Sequence, residues 1–241
     1  MTYCIGMLLK DGLVMLSDSR TNAGVDNIAT FRKMTLWCHP EERVLCLMSS
    51  GNLAIAQAVT NYLDEGLEPE GERMTSVPTM FRAAQLVGKA VRAVYESDGQ
   101  ALEAKEPGAF NIAFLLGGQI KGGEPRLYQI YAAGNFIQAT ESTPFFQIGE
   151  HKYGKPILDR ALSYDTDLRA AAKLALISMD STLRSNLSVG LPLDLLIVRR
   201  DSFSTETRRS IDENDPYFRE IRQRWSSSLR EAIATLPNVP Y

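Results

Sequence analysis

The chain has 241 residues, 44% of them hydrophobic, enough for one large domain with a sizeable core. Lys plus Arg number 26 against 29 Asp plus Glu, and the formal net charge of −3 argues against nucleic acid as a partner. No apolar run approaches the roughly 18 residues that span a bilayer, and the N-terminus lacks a basic segment followed by an apolar stretch, so no membrane partner and a cytoplasmic location are expected.

The three cysteines, Cys4, Cys38 and Cys46, are odd in number and sit in apolar contexts, which suits reduced core thiols better than a disulfide framework. His39 and His151 have no partner at a metal-ligand spacing, so neither a metal nor an organic cofactor is expected.

The chain opens Met1-Thr2-Tyr3-Cys4. A methionine followed by a small residue is a normal substrate for removal of the initiator. Its loss leaves Thr2 with a hydroxyl and a free α-amine on one residue. An α-amine with a pKa of about 7.7–8.0 is partly neutral near pH 7 and can act as general base for that hydroxyl. The alternative is an ordinary strand residue.

Thr2–Leu9 and Gly12–Ser17 read as a hairpin around Lys10-Asp11-Gly12. Thr30–Trp37 and Val44–Ser49 read as a second, with His39-Pro40-Glu41-Glu42 at its turn. From Gly51 the spacing becomes helical, through Leu53, Ala56, Val59 and Leu63, and a polar loop follows to Pro78. The next helix places Met80, Ala84, Val87, Val91, Val94 and Tyr95 on one face. Four strands are expected at Phe110–Gly117, Arg126–Tyr131, Phe136–Ala139 and Phe145–Ile148. Tyr153–Leu162 and Leu168–Leu183 read as helices and Leu193–Arg199 as a strand. In the last helix Asp215 is the cap and Pro216 the first residue, with an apolar stripe of Tyr217, Ile221, Trp225, Leu229 and Ile233. Strands and helices come in blocks, which favours antiparallel sheets with helices on their outer faces, an α+β fold. The expectation is a single domain over 2–241, with about 213–241 as a helical C-terminal extension.

The block Ser17-Asp18-Ser19-Arg20-Thr21-Asn22-Ala23-Gly24 resembles the aspartate-serine-arginine segment of proteasome β-subunits, which also begin with a catalytic threonine. Phe31-Arg32-Lys33-Met34 resembles the family's strand with its active-site lysine, and Met48-Ser49-Ser50-Gly51-Asn52-Leu53-Ala54 the turn that opens the first helix. Leu116-Gly117-Gly118, Leu127-Tyr128, Gly134-Asn135, Gly149 and Tyr153 follow in the same order. Taken together the chain resembles Anbu, the bacterial ancestral β-subunit. The resemblance implies an N-terminal-nucleophile (Ntn) hydrolase fold, a four-layer αββα sandwich, assembling into rings or open spirals of identical subunits. It also implies a peptide or amide substrate, and leaves open any ATPase partner.

On this resemblance Thr2 is the nucleophile, Lys33 its electrostatic partner and Asp18 the carboxylate that holds Lys33 charged. Neighbouring strand residues point to opposite faces, so either Arg32 or Lys33 faces inward; Lys33 is chosen. Arg20 ties down the same turn. The N–H groups of Ser50, first, and Gly51, second, suit an oxyanion at a helix N-terminus. The alternative for Ser50 is a plain helix cap. The family's aspartate and serine that support the amine correspond to Asp180 and Ser188, and Glu150 stands where the family has serine. Glu150 either holds the Thr2 amine protonated or faces away. The expected activity is a threonine peptidase working through an acyl-enzyme. The alternatives are a specialised amidase or a catalytically weak self-assembling scaffold. Self-association is expected through outward apolar stripes on the Pro78–Ser97 and Asp215–Thr235 helices.

Overall fold

The computed structural model describes residues 2–23, 27–205 and 207–241. Met1, and Gly24 at the end of the aspartate-serine-arginine block, lie outside the described residues. Strand β1 (Tyr3–Leu9) pairs antiparallel with β2 (Gly12–Asp18), as the sequence reads. On one face of β1, Tyr3, Ile5, Met7 and Leu9 meet helices; on the other, Cys4 and Leu8 meet a second sheet. A strand covered on both faces needs no polar alternation, hence the continuous apolar run.

The expected strand Thr30–Trp37 is divided. A small hairpin of β3 (Arg20–Ala23) and β4 (Asn27–Thr30) stands apart, and β5 (Met34–His39) begins after a break at residues 31–33. The break has local causes. The Phe31 N–H donates to the Ser19 carbonyl at 2.8 Å, and the Lys33 carbonyl accepts the Ser49 N–H at 3.1 Å. The chain thus passes from the small hairpin to the second large sheet.

Strand β6 (Arg43–Gly51) leads into α1 (Leu53–Glu65). Helix α2 (Met80–Val94) continues through a π turn into α3 (Gln100–Lys105). Then come β7 (Ile112–Ile120), β8 (Arg126–Ile130), β9 (Phe136–Gln138) and β10 (Phe145–Gly149). Helices α4 (Lys155–Ala161) and α5 (Leu168–Ser185) follow. Strand β11 (Leu193–Arg199) pairs with β12 (Thr207–Ile211), which the sequence reading did not include, before α6 (Pro216–Ala234). Asp215 caps α6, accepting the Phe218 N–H at 2.8 Å, with Pro216 in the first turn.

One five-stranded sheet has the order β10-β1-β2-β11-β12 and the other β5-β6-β7-β8-β9. Leu13, Met15, Cys46, Met48, Leu115 and Leu196 fill the space between them. Helices α1 and α2 cover the second sheet, and α4, α5 and the start of α6 cover the first. The fold is the αββα sandwich.

Two expectations about outer faces need correction. The α2 stripe of Met80, Ala84, Val87, Val91 and Val94 is buried in the core against α1 and the sheet, so it is not an outward surface. Helix α6 is split: Phe218 and Ile221 join the core, whereas Leu229 and Ile233 are exposed. Among the described residues no helix is long and apolar enough to cross a membrane, and no group of His, Cys, Asp and Glu could hold a metal ion.

Candidate active site

The site forms where β1, β2, β6 and the 31–33 break converge. Thr2, immediately before β1, is 8% exposed. The Tyr3 N–H donates to Asp18 Oδ1 at 3.0 Å, tying the start of β1 to the end of β2. Lys33 is 7% exposed, and Arg32 is turned out to solvent. Lys33 Nζ donates to Asp18 Oδ1 at 2.7 Å and to the Arg20 carbonyl at 2.7 Å. Asp18 Oδ2 accepts the Gly190 N–H at 3.3 Å. Burial pushes the Asp18 carboxyl above its ordinary value, and the Lys33 ammonium and the two backbone N–H groups oppose that push. A buried carboxylate with this set of donors is a fixed negative charge that keeps an ammonium in place.

Arg20 connects the loop after α5 to this centre. Its guanidinium donates to the Leu187 carbonyl at 3.0 Å, while its own carbonyl receives Lys33. Ser19 Oγ adds a bond to the Pro192 carbonyl at 2.6 Å.

A cavity of about 110 Å³ opens beside Thr2, lined by Thr2, Thr21, Lys33, Ser49, Ser50, Gly51, Leu53 and Ala56. Larger grooves of about 390 and 570 Å³ lie elsewhere on the surface, and Thr2 lines neither. The small cavity is the one that the candidate residues Thr2, Lys33, Ser50 and Gly51 line.

Ser49–Gly51 is the end of strand β6 rather than a turn at a helix start. The cap of α1 is Asn52, whose Oδ1 accepts the N–H groups of Ala54 and Ile55; Ser50 is not the cap. Ladder phase decides where the N–H groups point. The Asn52 N–H donates to the Asn111 carbonyl, and Ser50 is in register with Ala113. Alternate residues of an antiparallel strand bond to the same neighbour, so the Ser50 N–H faces β7. The Ser49 N–H goes the other way, to Lys33. The Gly51 N–H shares that direction, just beyond the start of β5, toward the cavity both residues line. Gly51 has φ +112°, and a Cβ there would sit 2.1 Å from the Asn111 carbonyl oxygen. Only glycine fits.

The structure does not bring Asp180 into this group. Its fully buried carboxylate accepts from Arg222 at 2.6 Å and from Arg184 at 3.2 Å, turned toward α6. An aspartate on the α5 face that meets α6 finds arginines there instead of an amine. Ser188 is half-buried in the loop after α5, its N–H donating to Asn186 Oδ1 at 2.9 Å. Glu150 lies beside Thr2. Its N–H donates to the Thr2 carbonyl at 2.7 Å, and its carboxylate accepts from Asn186 Nδ2 at 3.2 Å. Gly149, φ +82°, makes this approach possible, since a Cβ there would lie 2.0 Å from the Thr2 carbonyl oxygen.

Two residues went unread in the sequence. Asn186 carries no signal in a single chain, because an asparagine after a helix is an ordinary terminator. Tyr3 reads as core, yet its buried hydroxyl bonds Ser178 Oγ at 2.7 Å and receives the Gln147 amide. It ties the residue after Thr2 to α5 and β10. The thiols of Cys4 and Cys46 are buried and pushed up by desolvation; Cys38 is exposed.

Comparison with known proteins identifies the family and the fold. The model of the proteasome-subunit family matches residues 2–198. Anbu (ancestral β-subunit) from Yersinia bercovieri is 53% identical, with a TM-score of 0.92, 99% of this chain and 99% of that chain being covered. A structure entitled helical assembly of the Anbu complex from Pseudomonas aeruginosa is 49% identical, with a TM-score of 0.93, covering 99% of this chain and 98% of that one. Anbu from Hyphomicrobium sp. strain MC1 is 49% identical, with a TM-score of 0.91, over 99% and 100% of the two chains. No curated protein matches. With the family's model spanning most of its length and near-complete relatives at about half identity, the chain belongs to the proteasome-subunit family, in its Anbu group.

Proposed function

We propose that this chain is a threonine-type amide hydrolase whose nucleophile is Thr2 once Met1 is removed. The observation that carries the reading is Lys33: a buried ammonium fixed between Asp18 and the Arg20 carbonyl, on the wall of the cavity that Thr2 lines.

The neutral Thr2 amine takes the hydroxyl proton as the oxygen attacks the amide carbonyl carbon. The Lys33 ammonium favours the ionised oxygen electrostatically. The carbonyl oxygen becomes an oxyanion; the Gly51 N–H is the donor for it, and the Ser50 N–H serves its own ladder. The leaving nitrogen departs with the proton, and an acyl ester remains on Thr2. Water, deprotonated by the same amine, cleaves the ester and restores the threonine. Asp18 acts through Lys33. The Ser49, Leu53 and Ala56 lining and the small volume suit an uncharged substrate side chain of modest size.

Self-association belongs to the same reading. The Pseudomonas aeruginosa relative is described as a helical assembly, and the exposed Leu229 and Ile233 of α6 offer this chain an apolar contact.

The test is intact mass, which shows whether Met1 is lost, followed by labelling with a threonine-directed electrophile. The expected adduct is on Thr2. Thr2→Ala should abolish turnover and leave particle size unchanged. Turnover retained in Thr2→Ala would remove the nucleophile from the proposal.

A further inference from the structure

The backbone at the start of β1 has a fixed phase. The Tyr3 N–H points to the β2 side, where Asp18 accepts it at 3.0 Å. One residue earlier the chain faces the other edge, and the Thr2 carbonyl does so, accepting the Glu150 N–H at 2.7 Å. In an extended residue the nitrogen and the carbonyl share one edge. The amine exposed by loss of Met1 therefore lies on the β10 side, next to Glu150.

The Glu150 carboxylate is bonded to a side chain that is itself fixed. Asn186 is 8% exposed. Its N–H donates to the Thr182 carbonyl at 2.9 Å, ending α5, and its carbonyl accepts the Val189 N–H at 3.2 Å. Its Oδ1 accepts the Ser188 N–H at 2.9 Å, which fixes the amide plane and aims Nδ2 at Glu150 Oε2, 3.2 Å away. The same loop delivers the Gly190 N–H to Asp18. One buried amide thus joins the Glu150 side of Thr2 to the Asp18 side.

We infer that Asn186 is a positioning residue that holds the Glu150 carboxylate beside the amino group of Thr2. The inference rests on the proposed function only in requiring that amine to be free. Among the described residues, the charged and titratable groups on the surrounding elements include Tyr3 on β1, Asp18 on β2, Arg20 on β3, Lys33 before β5, His151 and Lys152 beside Glu150, and Asp180 and Arg184 on α5. Asp18 and Lys33 are spent on each other, and Arg184 reaches Asp180. Glu150 is the carboxylate in register with Thr2. A carboxylate fixed next to an ammonium favours its charged form. The base then becomes available only as pH rises, and Asn186 sets that point by keeping Glu150 in place.

The experiment measures the pKa of the Thr2 amine directly, by competitive labelling of the intact full chain with an amine-acylating reagent, read on the N-terminal peptide by mass. It needs no turnover. Wild type, Glu150→Gln, Asn186→Ala and the double variant are compared, and Asn186→Ser replaces the alanine if that chain does not fold. In wild type the amine should titrate above about 8. Each single variant should lower it by about one unit, with no further change in the double variant. Where the chain hydrolyses amides, the rising limb of kcat against pH should move by the same amount. A shift in Glu150→Gln with none in Asn186→Ala or Asn186→Ser overturns the role of Asn186. No shift in any variant overturns the pairing altogether. A chain that keeps Met1 overturns both this inference and the nucleophile reading. An amine that shifts as expected in a chain without hydrolysis supports the inference and removes the hydrolase.

Discussion

Replacing Lys33 with methionine keeps most of its volume and removes its charge. Asp18, fully buried, then keeps as donors, among the described residues, only the N–H groups of Tyr3 and Gly190. Asp18 already sits above the ordinary carboxylate range with Lys33 present, because of burial. A carboxyl raised in the fold binds its proton more tightly folded than unfolded. Ionising it therefore opposes folding, and the penalty grows as pH rises above the unfolded value of about 3.9. Without the ammonium the raise is larger. The variant should stand nearest wild type at pH 4. Once the pH passes the raised value that Asp18 has in the wild type, the gap should widen by at most roughly 1.4 kcal/mol per pH unit, toward the about 3–5 kcal/mol typical of a broken buried pair. The lost bond to the Arg20 carbonyl adds a pH-independent offset of about 1 kcal/mol. Urea midpoints at fixed protein concentration between pH 4 and 8 measure the gap. A gap that stays constant across that range would refute the argument that Lys33 compensates a buried Asp18 carboxylate.

Other consequences are open to direct measurement. Below the limb set by the Thr2 amine, turnover should fall a second time at a pH above the ordinary carboxylate range, because the raised Asp18 takes up its proton there and releases Lys33; Asp18→Asn should abolish that second fall along with most of the rate. Gly51→Ala forces a side chain into a left-handed backbone against the Asn111 carbonyl, so it should destabilise the chain and lower kcat more than KM, read in steady-state kinetics. Asp180→Ala should cost about 1–3 kcal/mol in chemical unfolding, less than a fully buried pair because Arg184 and Arg222 keep access to water, and should leave the chemistry at Thr2 intact. Leu229→Ser with Ile233→Ser alters only exposed side chains of α6 and should reduce particle size in sedimentation without changing the melting of the chain.

What the sequence conveyed depended on which physical signal each element carries. The β1–β2 hairpin and α6 announce themselves through a turn glycine, a capping aspartate and a proline at the helix start, all of which the structure uses. Strand β12 does not: in Thr207–Ile211 only Ile211 is buried, so an exposed edge strand shows no apolar alternation. The break before β5 is equally silent, since Phe31-Arg32-Lys33 contains no glycine, proline or asparagine, and it follows from bonds to Ser19 and Ser49 made across the fold. The stripe on α2 was visible, but a stripe does not say whether a sheet or solvent lies against it, and the structure supplies the sheet. At the site, Thr2, Asp18 and Lys33 were legible as a set. Asp180 was not, because its partners Arg184 and Arg222 lie one turn away and on another helix. The choice between Ser50 and Gly51 turns on ladder phase, which exists only once β6 has found β7.

The placement of the cysteines determines how selectively Thr2 can be probed. Reagents that capture a threonine oxygen usually prefer sulfur, since a thiolate is the stronger nucleophile. Cys4, two residues from Thr2, is sealed between the sheets with Cys46, and desolvation keeps both as neutral thiols. Only Cys38 meets solvent. A chain carrying Cys38→Ser would therefore present an electrophile with a single reactive competitor removed, and adduct stoichiometry on the folded protein would count working Thr2 residues.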